Sequence, residues 1–156
     1  MRRLTDLDAY DRSILRALQA DARLSVARLS ERVHLSPSAA SERLRRLRRE
    51  GFITGFQVRI DPEKVGAAQA VFLLVTLDHS GPSVQQAFLG AVNALPQFQD
   101  GYMMAGEFDF LLKMRVADMA ACQAIVSASI QALPGVRRVR AYSVISQFKE
   151  SSELPL

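Results

Sequence analysis

Five arginines (Arg43, Arg45, Arg46, Arg48 and Arg49) crowd the end of a segment that opens Ser36-Pro37 and carries Ser38, Ser41 and Glu42 on the way. A guanidinium is a planar fork of donors that matches a phosphate or the edge of a guanine. Small hydroxylated residues ahead of it allow the start of a helix to approach a groove closely. A second constellation lies at Gly106-Glu107-Phe108-Asp109, where two carboxylates alternate around one aromatic ring. Beside an apolar surface such a carboxylate can hold an ammonium group; on the residues alone, a solvated acidic turn is the simpler reading. No nucleophile–base pair and no glycine-rich phosphate cradle is visible, so catalysis has no apparatus. The single cysteine, Cys122, sits among apolar neighbours and reads as an inert thiol. His34 and His79 have no ligand spacing, so no metal or other cofactor is expected.

The elements that position the arginines follow from spacing. Leu7, Asp8 and Asp11 open a first helix, with Asp8 as N-cap and Asp11 near the positive end of its dipole. Tyr10, Ile14, Leu15 and Leu18 recur at helical spacing and are expected to face a core. Ser25 caps a second helix with Val26, Leu29 and Val33 inward. The chain then turns through His34 and Leu35. Glycine is easiest in such a turn, but histidine is among the types that tolerate positive φ. Ser36 caps a third helix, with Pro37 at its first position, where a missing N–H costs nothing. Ala40, Leu44 and Leu47 form one apolar stripe. Ser38, Ser41, Glu42, Arg45, Arg46, Arg48 and Arg49 are left facing outward. This is the pattern of a helix-turn-helix that reads duplex DNA, with Ser36, Ser38, Ser41, Glu42, Arg45, Arg46 and Arg49 as the candidate contacts. Glu42 either accepts from a cytosine amino group or pairs with Arg45 or Arg46 on its own helix.

Charge supports that division. Residues 1–60 hold 13 basic and 7 acidic side chains, a net of +6; residues 61–156 hold 7 and 9, a net of −2. A polyanion-binding head followed by a differently employed domain accounts for the asymmetry. Gly51 ends the third helix, residues 56–60 alternate as a short strand, and Asp61-Pro62-Glu63-Lys64-Val65-Gly66 reads as a hinge. The expected domains are thus 1–60, the DNA-binding head with its hinge strand, and 61–156.

The second half reads as strand 70–75, helix 82–95, strands 98–105 and 108–116 around a Gly106-Glu107 turn, a helix capped by Asp118, and strand 136–145. Met119, Cys122, Val126, Ile130 and Leu133 are the inward positions of that second helix. The order βαββαβ is a ferredoxin-like split βαβ, and the whole chain is an α+β protein. Its two helices cover one face of the sheet. The first and third strands look apolar on the other face as well, which predicts a second copy of the sheet as cover, hence a homodimer. With 49% apolar residues the chain can bury a core; no apolar run spans a bilayer, and the N-terminus lacks the apolar centre of a signal peptide. A cytoplasmic protein without membrane partners is expected.

Several blocks together resemble the leucine-responsive/asparagine-regulator (Lrp/AsnC) family of prokaryotic transcription regulators. They are LDAYDRSILRALQADARLS, LSERVHLSPSAASERLRRLRREGFI, DPEKVG, AGEFDFLLKMRVADM and ALPGVRRVRAYSVI, in the family's order, and the likeness runs from about Leu4 to Ser146. The resemblance implies a winged helix-turn-helix head on a βαββαβ effector-sensing (RAM) domain. It implies dimers that associate further, often to octamers, and a small amino acid as effector. By position, the recognition helix is 36–50. Asp109 would meet the effector's amino group, Gly106 would let the backbone approach, and Met104, Met119 and Ser143 would line the pocket. His34 stands where relatives often have glycine, and Ala105 where they often have a hydroxyl residue. A stand-alone amino-acid sensor or enzyme regulatory subunit is the alternative, but it needs no basic head. RNA binding through the sheet ranks last, because that face reads as aliphatic and covered.

Overall fold

A computed structural model describes residues 7–78 and 81–156. Residues 1–6 and His79, which the readings of the N-terminus and of one histidine concern, lie outside the described residues. The chain forms two compact units: Met1–Val58 with Lys149–Leu156, and Arg59–Phe148. The sequence assigned all of 61–156 to the second unit; the C-terminal residues instead join the first. The reason is local. The Gln19 side-chain amide donates to the Leu154 carbonyl at 3.1 Å and accepts the Leu154 N–H at 2.6 Å. Arg16 Nε donates to the Leu156 carbonyl at 2.8 Å, and the Leu156 side chain packs on the rim of the first core.

The first unit is built on three helices: α1 (Ala9–Ala20), α2 (Val26–Arg32) and α3 (Pro37–Arg49). Asp8 caps α1 by accepting the Asp11 N–H at 2.8 Å, and Asp11 accepts the Asp8 N–H at 3.2 Å, a reciprocal capping box. Ser25 and Ser36 cap α2 and α3, and Pro37 occupies the first turn of α3. His34 has φ +54°, and around it the N–H groups of His34 and Leu35 close on the carbonyls of Glu31 and Ser30. Those two bonds satisfy the last carbonyls of α2 in the manner of a left-handed cap. Gly51, φ +76°, ends α3 in the same way. Ile14, Leu15 and Leu18 of α1, Leu29 and Val33 around α2, and Leu44 and Leu47 of α3 form the core. Tyr10 does not join it: it is 46% exposed, one turn before the apolar stripe engages α3.

The second unit carries β1 (Gln69–Leu77), α4 (Pro82–Asn93), β2 (Phe98–Met103), β3 (Phe110–Val116), α5 (Met119–Ile125) continued by a π-helical turn (Val126–Ile130), and β4 (Val136–Ser143). The sheet order is β2-β3-β1-β4, antiparallel throughout, the ferredoxin-like arrangement. Val71, Leu73 and Val75 of β1 lie beside Met114, Leu112 and Phe110 of β3, and all six are buried under Phe88, Val92, Cys122, Val126 and Ile130. Phe88 and Phe110 meet with ring centroids 4.6 Å apart.

Three expectations change here. The second face of β3 is Leu111, Lys113 and Arg115, not a continuous apolar strip, because every second apolar residue of FLLKMRV already faces the helices. Lys113 pairs with Asp100 at 3.6 Å, and Arg115 donates to Gln147 at 3.0 Å. Met119, expected inward, is exposed as the first residue of α5. Residues 56–60 form no strand, since alternation of side chains makes a strand only where a second strand ladders with the backbone. Val58 and Ile60 are left 86% and 67% exposed.

Candidate nucleic-acid interface and ligand site

The stripe Ala40, Leu44 and Leu47 anchors α3 to the first core, and this fixes which arginines face out. Arg45, Arg48, Arg49 and Glu42 are exposed, and Ser36 and Ser38 sit together at the helix start with hydroxyls 3.1 Å apart. Ser41 is half-buried. The Arg48 guanidinium lies 5.0 Å from the centre of the Phe56 ring. A groove lined by Asp8, Ala39, Glu42, Arg43, Arg45, Arg46 and Arg49 runs beside the helix. Among the described residues Glu42 forms no ion pair with Arg45 or Arg46, and its side chain is exposed.

Arg46 is different from the arginines expected beside it. It forms an ion pair with Asp11, whose side chain is buried. Arg43 donates to the same carboxylate at 2.9 Å and to Asp8 at 2.6 Å, and lies 5.4 Å from the centre of the Tyr10 ring. The hydrogen bonds to Asp8 and Asp11 raise the pKa of Arg43, and the bond to Asp11 raises that of Arg46. Partial burial pushes the Asp8 carboxyl up, but the Asp11 N–H and Arg43 outweigh it and hold it below its ordinary value. Sequence reading assigned Asp11 to the helix dipole and counted Arg43 among the five arginines without naming it as a contact. The signal was present: Asp11, Ile14, Leu15 and Leu18 share one face, and an acid on an apolar stripe requires a cation opposite.

In the second unit, the β2–β3 connection is longer than the two-residue turn expected. Both strands stop short, and Met104–Asp109 is a loop closed by Met104 N–H on the Asp109 carbonyl at 2.8 Å. Asp109 N–H reaches the Val75 carbonyl at 2.9 Å, and its carboxylate Oδ2 accepts the Leu77 N–H at 2.7 Å. Glu107 stands out on the exposed loop. Met104, Gly106 and Asp109 are thus together at one end of the sheet. Met119 and Ser143 are at the other: Ser143 lies opposite Val71 and accepts from Gln69 at 2.9 Å, and Met119 follows the end of β3 opposite Gln69. Six residue steps along β1 lead from Val71 to Leu77, about 20 Å at the rise of an antiparallel strand. One chain therefore does not gather the five expected ligand residues into one pocket.

Cys122 is buried, its pKa raised by that burial, with its sulfur 3.9 Å from that of Met114. Among the described residues, no group of three or more His, Cys, Asp or Glu could hold a metal ion, and no helix is long and apolar enough to cross a membrane.

A capped three-helix head with an arginine-bearing third helix, joined to a βαββαβ sheet unit, defines a DNA-binding regulator with a separate ligand-binding domain. Comparison with known proteins bears on both parts. Residues 7–54 match the model of a winged helix-turn-helix DNA-binding domain, and residues 70–154 that of the Lrp/AsnC ligand binding domain. The chain is 42% identical to the leucine-responsive regulatory proteins of Salmonella typhimurium and Escherichia coli K12 over 96% of its length and 91% of theirs. A transcriptional regulator from Neisseria meningitidis solved as a complex with L-methionine superposes with a TM-score of 0.92, at 30% identity over 96% of each chain. A feast or famine regulatory protein from Mycobacterium tuberculosis complexed with L-methionine superposes at 0.85, with 33% identity over 95% of this chain and 98% of that one. The chain belongs to the Lrp/AsnC family of transcriptional regulators. It is a DNA-binding transcriptional regulator and not an enzyme, and the stand-alone sensor reading is set aside.

Proposed function

We propose that α3 enters the major groove of duplex DNA, with Arg45 and Arg49 on phosphates or guanine edges and Glu42, Ser38 and Ser41 biasing the sequence read. The Ser36 hydroxyl and the Ser38 N–H of the first turn would hold a flanking phosphate. The observation that carries this reading is the split of α3 into a buried apolar stripe and an exposed pair of arginines, Arg45 and Arg49.

The effector is a small amino acid, taken up at the Met104–Asp109 loop, with Asp109 Oδ1 facing its ammonium group and Gly106 leaving room for the backbone to approach. The methionine complexes of the two similar regulators support that ligand class. Since Met119 and Ser143 lie at the far end of the same sheet, they complete the pocket only from another copy of the chain. Assembly into a homodimer, and of dimers into a higher oligomer such as an octamer, is therefore part of the reading. The half-covered second face of the sheet is the surface that such a partner would cover. The protein would work in the cytoplasm, associated with the nucleoid. The domains divide near residue 60, with the last residues attached to the head.

A gel-shift titration with sheared genomic DNA tests the DNA reading: a salt-sensitive shift supports it, and no shift at low salt contradicts it. A thermal-shift screen of the twenty amino acids tests the effector, since a ligand that binds only the folded state raises the melting temperature.

A further inference from the structure

Resting on the DNA-binding reading of α3, we propose that Asp11 is a positioning residue that withholds Arg46, and with Asp8 also Arg43, from the DNA backbone. The phosphate contacts of the helix then fall to Arg45 and Arg49. The geometry is a closed set. Asp11 Oδ1 accepts from Arg43 at 2.9 Å, while Oδ2 accepts from Arg46 and from the Asp8 N–H. Asp8 Oδ1 is taken by the Asp11 N–H and Oδ2 by Arg43 at 2.6 Å. Two carboxylates on the first turn of α1 thereby neutralise two guanidiniums on α3. Tyr10 supports the arrangement from outside, beneath the Arg43 guanidinium.

Two consequences follow. Asp11 is fully buried and Asp8 is part of the cap of α1, so the pairing joins the start of α1 to the middle of α3 and limits rotation of α3 about its axis. That rotation decides which side chains meet a groove. The cationic charge available to phosphates is also smaller than the run RLRRLRR suggests. Each phosphate neutralised contributes about 0.9 to the slope of log K against log salt, so withholding arginines lowers sequence-independent affinity relative to base reading. An uncompensated run of five arginines would bind any duplex strongly, which a sequence-reading helix must avoid.

The test is the salt dependence of binding to a short duplex of random sequence, measured for the full chain and for Asp11→Asn, Arg46→Gln and Arg45→Gln. Arg46→Gln is expected to leave the slope unchanged, and Arg45→Gln to flatten it by about 0.9. Asp11→Asn is expected to steepen it by about 0.9 as Arg46 is released. A purely structural role for Asp11 would lower the melting temperature without steepening the slope. If Arg46→Gln flattens the slope as much as Arg45→Gln, or if folded Asp11→Asn has the wild-type slope, the proposal is overturned. Should Asp11→Asn not fold, the comparison of the two arginine variants still decides. Absence of salt-dependent binding by the unmodified chain would overturn the DNA reading itself, and the proposal with it.

Discussion

Asp109 Oδ2 accepts the backbone N–H of Leu77 at 2.7 Å, so one oxygen of the proposed ligand carboxylate is already committed to the end of β1. This bond lies on the β3 edge of β1, just beyond the last β1–β3 pair, Val75 with Phe110, and ties down the strand end there. On the proposed reading the residue therefore has two separable roles: its oxygen holds the strand end, and its charge would meet the effector's ammonium.

Asp109→Asn separates them. The amide oxygen keeps the acceptor for Leu77, and the charge is gone. The melting temperature of the unliganded variant is expected within about 2 °C of wild type, given that a kept hydrogen bond of this kind is worth about 1 kcal/mol. Its thermal shift with L-methionine or L-leucine is expected to vanish. A wild-type shift in Asp109→Asn removes Asp109 from the ligand site. Asp109→Ala, by contrast, loses both roles and melts lower.

His34 carries the positive φ that glycine adopts without cost. His34→Gly is expected to stabilise the chain by about 0.5–1 kcal/mol, because relief of a Cβ clash in the left-handed region exceeds the entropy that glycine loses. In thermal denaturation this reads as a rise of a few degrees for a protein of this size. A lower melting temperature would show that the imidazole makes a compensating contact.

The Asp8 carboxyl, held below its ordinary value of 3.8, sets an acid limit. A carboxyl with a lowered folded pKa contributes stability that is complete above the unfolded value and is lost as pH falls through the folded one. The effect is confined below about pH 4, and since the side chain is half-exposed it amounts to less than about 1 kcal/mol. Asp8→Asn keeps a good N-cap and loses the charge. Its melting temperature is expected to fall less than that of wild type between pH 6 and pH 3. An identical fall in both proteins would mean that the Asp8–Arg43 pair adds nothing.

Much of the fold is legible in the residues. Capping residues act within one helical turn, so Asp8, Ser25, Ser36, Gly51 and the unusual His34 could each be read from neighbours in sequence. The βαββαβ order followed from apolar runs and helical spacing, with Asp118 marking the start of the second helix. What escaped reading depends on partners distant in sequence. Arg43 and Arg46 looked like their neighbours until Asp11, more than thirty residues earlier, was seen between them. The tail joined the head because Gln19 and Arg16 offer groups that no local pattern announces. The ligand residues were named from family position, but their placement at two ends of β1 depends on strand register, which spacing alone does not set.

The central claim is that the outward arginines of α3 carry the contact with DNA. Its most direct test is the affinity of the Arg45→Ala/Arg49→Ala double variant for sheared genomic DNA across a salt series. The account predicts weaker binding and a log K against log salt slope shallower by about 1.8, two phosphates' worth, with the melting temperature retained. Binding of wild-type strength and wild-type salt dependence in a folded double variant would contradict it.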